Sequence, residues 1–178
     1  MDQDHFSLRR IPPFDSWRRR KFLVLHMQTP YLDVESCLKL ANIPFKTIAY
    51  DEIENERAIE KDLSNSFGVI VTGSWLGKKL SPIKPEIPAS ILDSNLPKLG
   101  LCFGYEAFGK SLGGNIIECN PPFGERSEVK IKLYPSILFK GLDTEKNYVV
   151  TMAHKYMLED LPPGCDLIAE TNLTPIAG

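Results

Sequence analysis

At 178 residues, with 43% hydrophobic and 25% charged residues, the chain has the make-up of one globular domain large enough to bury a real core. Its formal net charge of -2 leaves no electrostatic footprint for nucleic acid or an anionic membrane surface, and no apolar run approaches the roughly 20 residues that span a bilayer. Cys37, Cys102, Cys119 and Cys165 are widely spaced with no Cys-x-x-Cys pair, so a zinc cluster is disfavoured. Reduced thiols in a cytoplasmic protein are expected, since the N-terminus also lacks the apolar core of a secretory signal.

Residues 1–21 read as an N-terminal extension: Pro12-Pro13 breaks regular structure, and Trp17 to Lys21 is a basic run. A solvated tail and a docking arm for an acidic partner both fit it. The domain proper is assigned to 22–178. Phe22-Leu23-Val24-Leu25 is a continuous apolar run, suited to a strand covered on both faces. The loop Gln28-Thr29-Pro30 follows, and Tyr31 to Ala41 then reads as a helix with Leu32, Cys37, Leu38 and Leu40 as its apolar stripe, ended by Asn42 and Pro44. Cys37 is expected in the core.

Phe45 to Tyr50 predicts a second strand, Asp51 to Leu63 a short, mostly exposed helix or an irregular turn, and Phe67 to Val71 a third strand that ends in the loop Thr72-Gly73-Ser74-Trp75. The Pro- and Lys-bearing stretch from Lys78 to Pro88 reads as a surface loop, and Ala89 to Ser94 as a short helix. This alternation predicts a parallel sheet covered on both faces. Beyond Gly114, shorter strands are expected at Asn115 to Ile117, Ser127 to Leu133, Tyr148 to Met152 and Cys165 to Ala169. Turns at Asn120-Pro121-Pro122 and Lys140 to Asp143 give a hairpin-rich second half.

The stretch that carries chemistry is Lys98-Leu99-Gly100-Leu101-Cys102-Phe103-Gly104-Tyr105-Glu106. An apolar run meets a cysteine with a glycine two residues to either side, and a helical pattern starts there and stops at Gly113-Gly114. This is the pattern of a nucleophile elbow, in which a strand turns sharply into a helix and lifts a reactive side chain above the sheet. The N-terminal N–H groups of the new helix favour a thiolate.

Taken together these segments resemble the class I glutamine amidotransferases, and most closely the amidotransferase domain of GMP synthetase. Gly100-Leu101-Cys102-Phe103-Gly104 matches the family's Gly-x-Cys-x-Gly elbow, and Leu112-Gly113-Gly114 ends the next helix as in the family. Thr72-Gly73-Ser74-Trp75 stands where the family has Ser-Gly-Gly-Pro. Leu138 to Leu142, Met152-Ala153-His154-Lys155, Leu161 to Gly164 and Ile168 to Ala177 look like GMP synthetase in particular. The resemblance implies an α/β fold of flavodoxin-like type, with an open, mostly parallel sheet and helices on both faces.

The activity implied is hydrolysis of the glutamine side-chain amide through a Cys102 thioester. The ammonia would pass to a synthetase subunit of the ATP pyrophosphatase type. By family position the oxyanion donors are the Phe103 N–H and one from the Gly73-Ser74 loop, and the substrate-binding residues are Glu106, Gly104 and Gly124. No metal or organic cofactor is implied for this step. Magnesium and ATP belong to the synthetase, and the chain has no phosphate loop of the Gly-x-x-x-x-Gly-Lys type.

The chain departs from the family pattern at three positions and in one missing motif. Ser74 replaces a glycine, Trp75 a proline, and Glu106 a substrate-holding glutamine; a carboxylate there cannot donate and would repel the substrate's carboxylate. The family's His-Pro-Glu base and orienting acid have no counterpart among His5, His26 and His154. A chain shortened at its C-terminal end, which the break in pattern at Gly178 favours, and a binding or regulatory relative that no longer hydrolyses amides both account for this. A related cysteine-elbow hydrolase acting on γ-glutamyl peptides is a further alternative. His154 aligns with a non-catalytic histidine, His26 reads as a pocket-wall or structural residue, and Cys119 and Cys165 as packing residues.

Overall fold

The computed structural model describes residues 20–27, 33–49, 56–73, 87–119 and 127–178. Within the extension, 1–19 lie outside the described residues, as do the Gln28-Thr29-Pro30 loop, most of the 78–88 loop and the Asn120-Pro121-Pro122 turn.

The apolar run becomes β1 (Lys21–His26), with Leu23, Val24 and Leu25 all buried. It lies between β2 (Phe45–Ala49) and β3 (Ser66–Val71), and β4 (Lys98–Gly100) joins the far side of β3. All three pairings are parallel, with Val24 opposite both Thr47 and Ile70, and Val71 opposite Gly100. The order β2-β1-β3-β4 places the two most hydrophobic strands inside, as burial on both faces requires.

Alternation sorts their side chains. Val24 and Ile70 face one way and pack with Leu38 and Val34 of α1 (Asp33–Leu40). Leu23, Leu25, Val69 and Val71 face the other way, under α2 (Glu56–Ser64), α3 (Ala89–Leu92) and α4 (Phe103–Ser111), which contribute Ile59, Leu63, Ile91, Phe103 and Ala107. The expected three-layer α/β arrangement is therefore present.

The apolar stripe of α1 differs from the sequence reading. Val34 and Leu38, four residues apart, form the packed line, whereas Leu40 is 89% exposed and Cys37 is exposed rather than in the core. At 3.6 residues per turn, Cys37 and Leu40 fall progressively off the face that Val34 and Leu38 share. The helix ends as expected at Asn42, which takes φ 54° while the Ile43 N–H donates to the Leu38 carbonyl and the Asn42 N–H to the Lys39 carbonyl. This is a Schellman cap with asparagine in the left-handed position.

The second half is antiparallel. β6 (Ser127–Leu133) pairs with β7 (Tyr148–Met152) and with β9 (Ala169–Thr171), while β5 (Ile116–Glu118) pairs with β8 (Tyr156–Leu158). The strand expected at Cys165 to Ala169 is displaced towards the C-terminus. Gly164 takes φ 76° and the Cys165 N–H donates to the Pro162 carbonyl, so the chain is still turning there, and pairing resumes only when the Tyr134 N–H reaches the Ile168 carbonyl. β8 is three residues long, too short to show a period in the sequence.

This half meets the parallel sheet through α4. A Cβ on Gly109 would come within 2.6 Å of the Leu158 methyl groups, so the glycine gives the buried Leu158 its seat. Among the described residues no helix is long and apolar enough to cross a membrane.

Ile91, 1% exposed, anchors the four-residue α3 over the sheet. Ile91→Ala removes buried methyl groups and leaves a cavity, so it is expected to cost about 2–5 kcal/mol. Urea unfolding would show this as a lower midpoint at unchanged slope.

Candidate active site

The elbow is built by backbone approach. Beyond β4 the Leu101 N–H donates to the Val71 carbonyl at 2.9 Å and so extends the parallel ladder. The chain then reverses: the Gly104 N–H returns to the Leu101 carbonyl at 2.9 Å, and the Glu106 N–H to the Cys102 carbonyl at 3.1 Å, opening α4. A Cβ on Gly104 would overlap the Val71 carbonyl oxygen, and one on Gly100 would lie 2.6 Å from the Gly104 carbonyl group. Both flanking glycines are therefore demanded by contact between backbones.

Cys102, between them, has φ 52° and ψ -111°. A non-glycine residue held in such a region stores strain of order 1–3 kcal/mol, which persists only where the surroundings fix it. The elbow reading of the sequence is what the backbone adopts.

The loop after β3 lies against this cysteine. A Cβ on Gly73 would be 3.2 Å from Cys102 Cβ and 3.7 Å from its Sγ. Thr72 holds the loop: its buried hydroxyl accepts the Met27 N–H at 3.0 Å and donates to the Gly73 carbonyl at 3.1 Å, while its own N–H reaches the Leu25 carbonyl. One side chain thus ties the C-terminal end of β1 to the segment facing the thiol. The sequence reading placed Thr72 in this loop without a role of its own; its position at a strand's carboxyl end, where open α/β sheets carry their sites, was the available signal.

The residue Cys102 is open to solvent as a whole, but its thiol is crowded by Gly73 and the elbow backbone. Its pKa is raised: desolvation is the largest cause, the Glu106 charge adds to it, and a hydrogen bond from the Phe103 N–H opposes both. The Phe103 N–H nevertheless donates to the sulfur.

Glu106 lies one turn along α4 and is 8% exposed. Burial pushes its carboxyl up to about 8. At neutral pH it is mostly a neutral acid that can donate as well as accept, so the objection that a carboxylate here cannot donate does not hold in this environment. Tyr105, beside it, is pushed up to about 12 by burial and by the charges of Cys165 and Glu106, and its hydroxyl donates to the Ile176 carbonyl at 3.0 Å.

His154 belongs to a clasp. Its Nδ1 lies 2.8 Å from the Tyr156 carbonyl, which assigns the hydrogen to that nitrogen and leaves Nε2 to accept from the Thr174 hydroxyl at 3.3 Å. The sulfur of the buried Cys119 lies 3.6 Å from Nδ1, and Cys165 is half-buried. His26, at the end of β1, has a buried Nε2 with no hydrogen-bond partner among the described residues. Ser74, Trp75 and Gly124 lie outside the described residues. Among the described residues no cluster of His, Cys, Asp or Glu has metal-holding geometry.

A parallel α/β sheet with a cysteine on the strained turn at its carboxyl edge defines the class of α/β proteins built around a nucleophile elbow. Within that class, the family model for class-I glutamine amidotransferases matches residues 33–178, and the chain belongs to that family. The glutamine-hydrolysing GMP synthase of Xylella fastidiosa is 33% identical over 113 residues, 62% of this chain and 21% of that one. The enzyme of the same name from Finegoldia magna is 32% identical over 136 residues, 76% of this chain and 24% of that one. The chain thus spans about a fifth to a quarter of the length of the curated relatives it matches. A solved glutamine amidotransferase from Thermotoga maritima superposes with a TM-score of 0.67 at 17% identity, over 89% of this chain and 70% of that one. At that identity the likeness is one of fold.

Two outcomes follow from this geometry. In the left-handed region glycine is freed of the Cβ penalty, so Cys102→Gly should be more stable than Cys102→Ala by about 1 kcal/mol, the reverse of the usual order within regular structure; paired urea titrations would show it. Glu106 in the folded chain titrates at about 8 against an ordinary value of 4.5, so between these values the folded state holds the extra proton. Its stabilising contribution is complete below the lower value and falls by up to about 1.4 kcal/mol per pH unit until the upper one is passed. Glu106→Gln should flatten that decline when unfolding is measured across the same interval.

Proposed function

We propose that this chain is the glutamine-hydrolysing part of an ammonia-supplying system, with Cys102 as nucleophile. The observation that carries the reading is Cys102 itself, held at positive φ at the start of α4 with the Phe103 N–H directed at its sulfur and the Gly73 segment alongside. The thiolate attacks the side-chain amide carbon of glutamine, and the carbonyl oxygen gathers negative charge, which the Phe103 N–H and the Gly73-Ser74 segment would stabilise. Collapse expels ammonia, the leaving nitrogen taking up a proton, and leaves a thioester. Water then cleaves it to glutamate and the free thiol.

Proton transfer in these steps needs a base, which typically supplies a factor of about a hundred to ten thousand. His154 is committed to Tyr156 and Thr174, so this reading does not draw the base from it. The ammonia would pass to an ATP-using synthetase acting on a purine nucleotide such as XMP, in the cytoplasm. Support for that acceptor comes from the relatives named GMP synthase.

A second reading, a non-catalytic amidotransferase-like binding protein, is favoured by the raised Cys102 thiol. Ammonia release by the product of the complete reading frame, assayed with its synthetase, separates the two. The first reading expects glutamine-dependent release that Cys102→Ala abolishes and a His-Pro-Glu segment in that frame. No release with Cys102 intact would leave the binding role.

A further inference from the structure

Thr72 ends the parallel ladder with its side chain. Its N–H donates to the Leu25 carbonyl at 3.1 Å. Were the ladder to continue, the next bond would run from the Met27 N–H to the Thr72 carbonyl. The Thr72 hydroxyl takes that N–H instead, at 3.0 Å, and donates its own hydrogen to the Gly73 carbonyl at 3.1 Å. Thr72 and Met27 are both buried, which shelters this relay from water. Its direction is fixed, because an oxygen that accepts from Met27 has a single hydrogen left to give, and the Gly73 carbonyl receives it.

The receiving end matters most. A trans peptide is planar with its N–H opposed to its C=O. A bond that holds the Gly73 carbonyl therefore also sets where the N–H of that same peptide points. Accepting a hydrogen bond at the oxygen polarises that N–H as well. Gly73 would not hold the plane by itself. A Cβ there would lie 3.2 Å from Cys102 Cβ and 3.7 Å from its Sγ, a tight approach that glycine relieves. The same missing Cβ leaves the backbone few steric limits on turning over. An inverted peptide would present a carbonyl oxygen where a reaction at Cys102 gathers negative charge.

Resting on the glutamine-site reading above, we infer that Thr72 is a positioning residue for the reaction at Cys102. Its hydroxyl holds the peptide leaving Gly73 with the N–H towards the developing oxyanion, and Met27 holds the hydroxyl. The two donors are thus set independently. The Phe103 N–H is placed by the elbow, whereas its counterpart is placed from β1, which lies beyond β3 from the cysteine's own strand. Such a contact strengthens only as charge develops, so its loss falls on turnover and spares ground-state binding.

The test is ammonia release from glutamine by the product of the complete reading frame with its synthetase, with kcat and KM measured separately. Thr72→Val keeps the shape without the hydroxyl, Thr72→Ala removes the hydroxyl and leaves space, and Thr72→Ser keeps it and loses a methyl group. Two variants lack the hydroxyl, so the comparison survives if one of them fails to fold. Both should lower kcat by about tenfold to a hundredfold, at most the loss of one whole donor, with KM for glutamine little changed. Thr72→Ser should turn over close to the natural chain even where its urea midpoint falls, which a merely structural role would not produce. Natural turnover in Thr72→Val, a Thr72→Ser chain as slow as Thr72→Val, or a change confined to KM would overturn the role of Thr72 and leave the glutamine site standing. No ammonia from the natural chain with its synthetase would remove the site and the inference together.

Discussion

The contact on which this structure turns is that of Gly104 with the Val71 carbonyl. The same carbonyl accepts from the Leu101 N–H, so the end of β3 both completes the sheet and sets how close the next helix comes. With Gly100 pressed against Gly104 from the other side, the backbone between them has no room for a relaxed path. Cys102 is left at positive φ as the geometrical remainder. The reactive position is thus produced by main-chain crowding at the carboxyl edge of the sheet, where open α/β folds place their sites. The side chains of the core serve to keep that crowding in place.

Electrostatics at the site runs against simple expectation. A helix N-terminus favours a thiolate by a modest amount that fades within a turn, whereas desolvation acts on the charged form directly. At Cys102 desolvation is the largest influence on the thiol, and the Phe103 N–H only reduces it. The same desolvation reverses the meaning of Glu106, which reads in the sequence as a negative charge and stands in the fold as a neutral acid. One cause therefore makes the nucleophile harder to ionise and its neighbour more like the amide it replaces.

Much of this was legible beforehand, for identifiable reasons. The run from Phe22 to Leu25 and the glycines around Cys102 are local signals whose structural consequence is equally local. Gly113 likewise ends α4 with φ 97°, its N–H and that of Gly114 returning to Lys110 and Gly109. What escaped was set by distant partners. Cys37 fits an apolar stripe by composition, but the sheet selects Val34 and Leu38 instead. β8 exists because β5 lies opposite it, and the bridging role of Thr72 depends on Met27, 45 residues away. Burial of Glu106 likewise needs the whole of α4 in place, so its protonation could not be read from the residue type.

The bond from the Tyr105 hydroxyl to the Ile176 carbonyl spans 71 residues. Translation at roughly 5–20 residues per second leaves an interval of about 4–14 s between the two ends reaching the growing chain. During that time the elbow has β3 and β4 beside it but not the segment that covers Tyr105. Assembly is thus ordered in time: the parallel sheet is a local, early product, and the surroundings of the cysteine mature last. A nascent chain would carry Cys102 in a more open and more hydrated setting than the finished protein does.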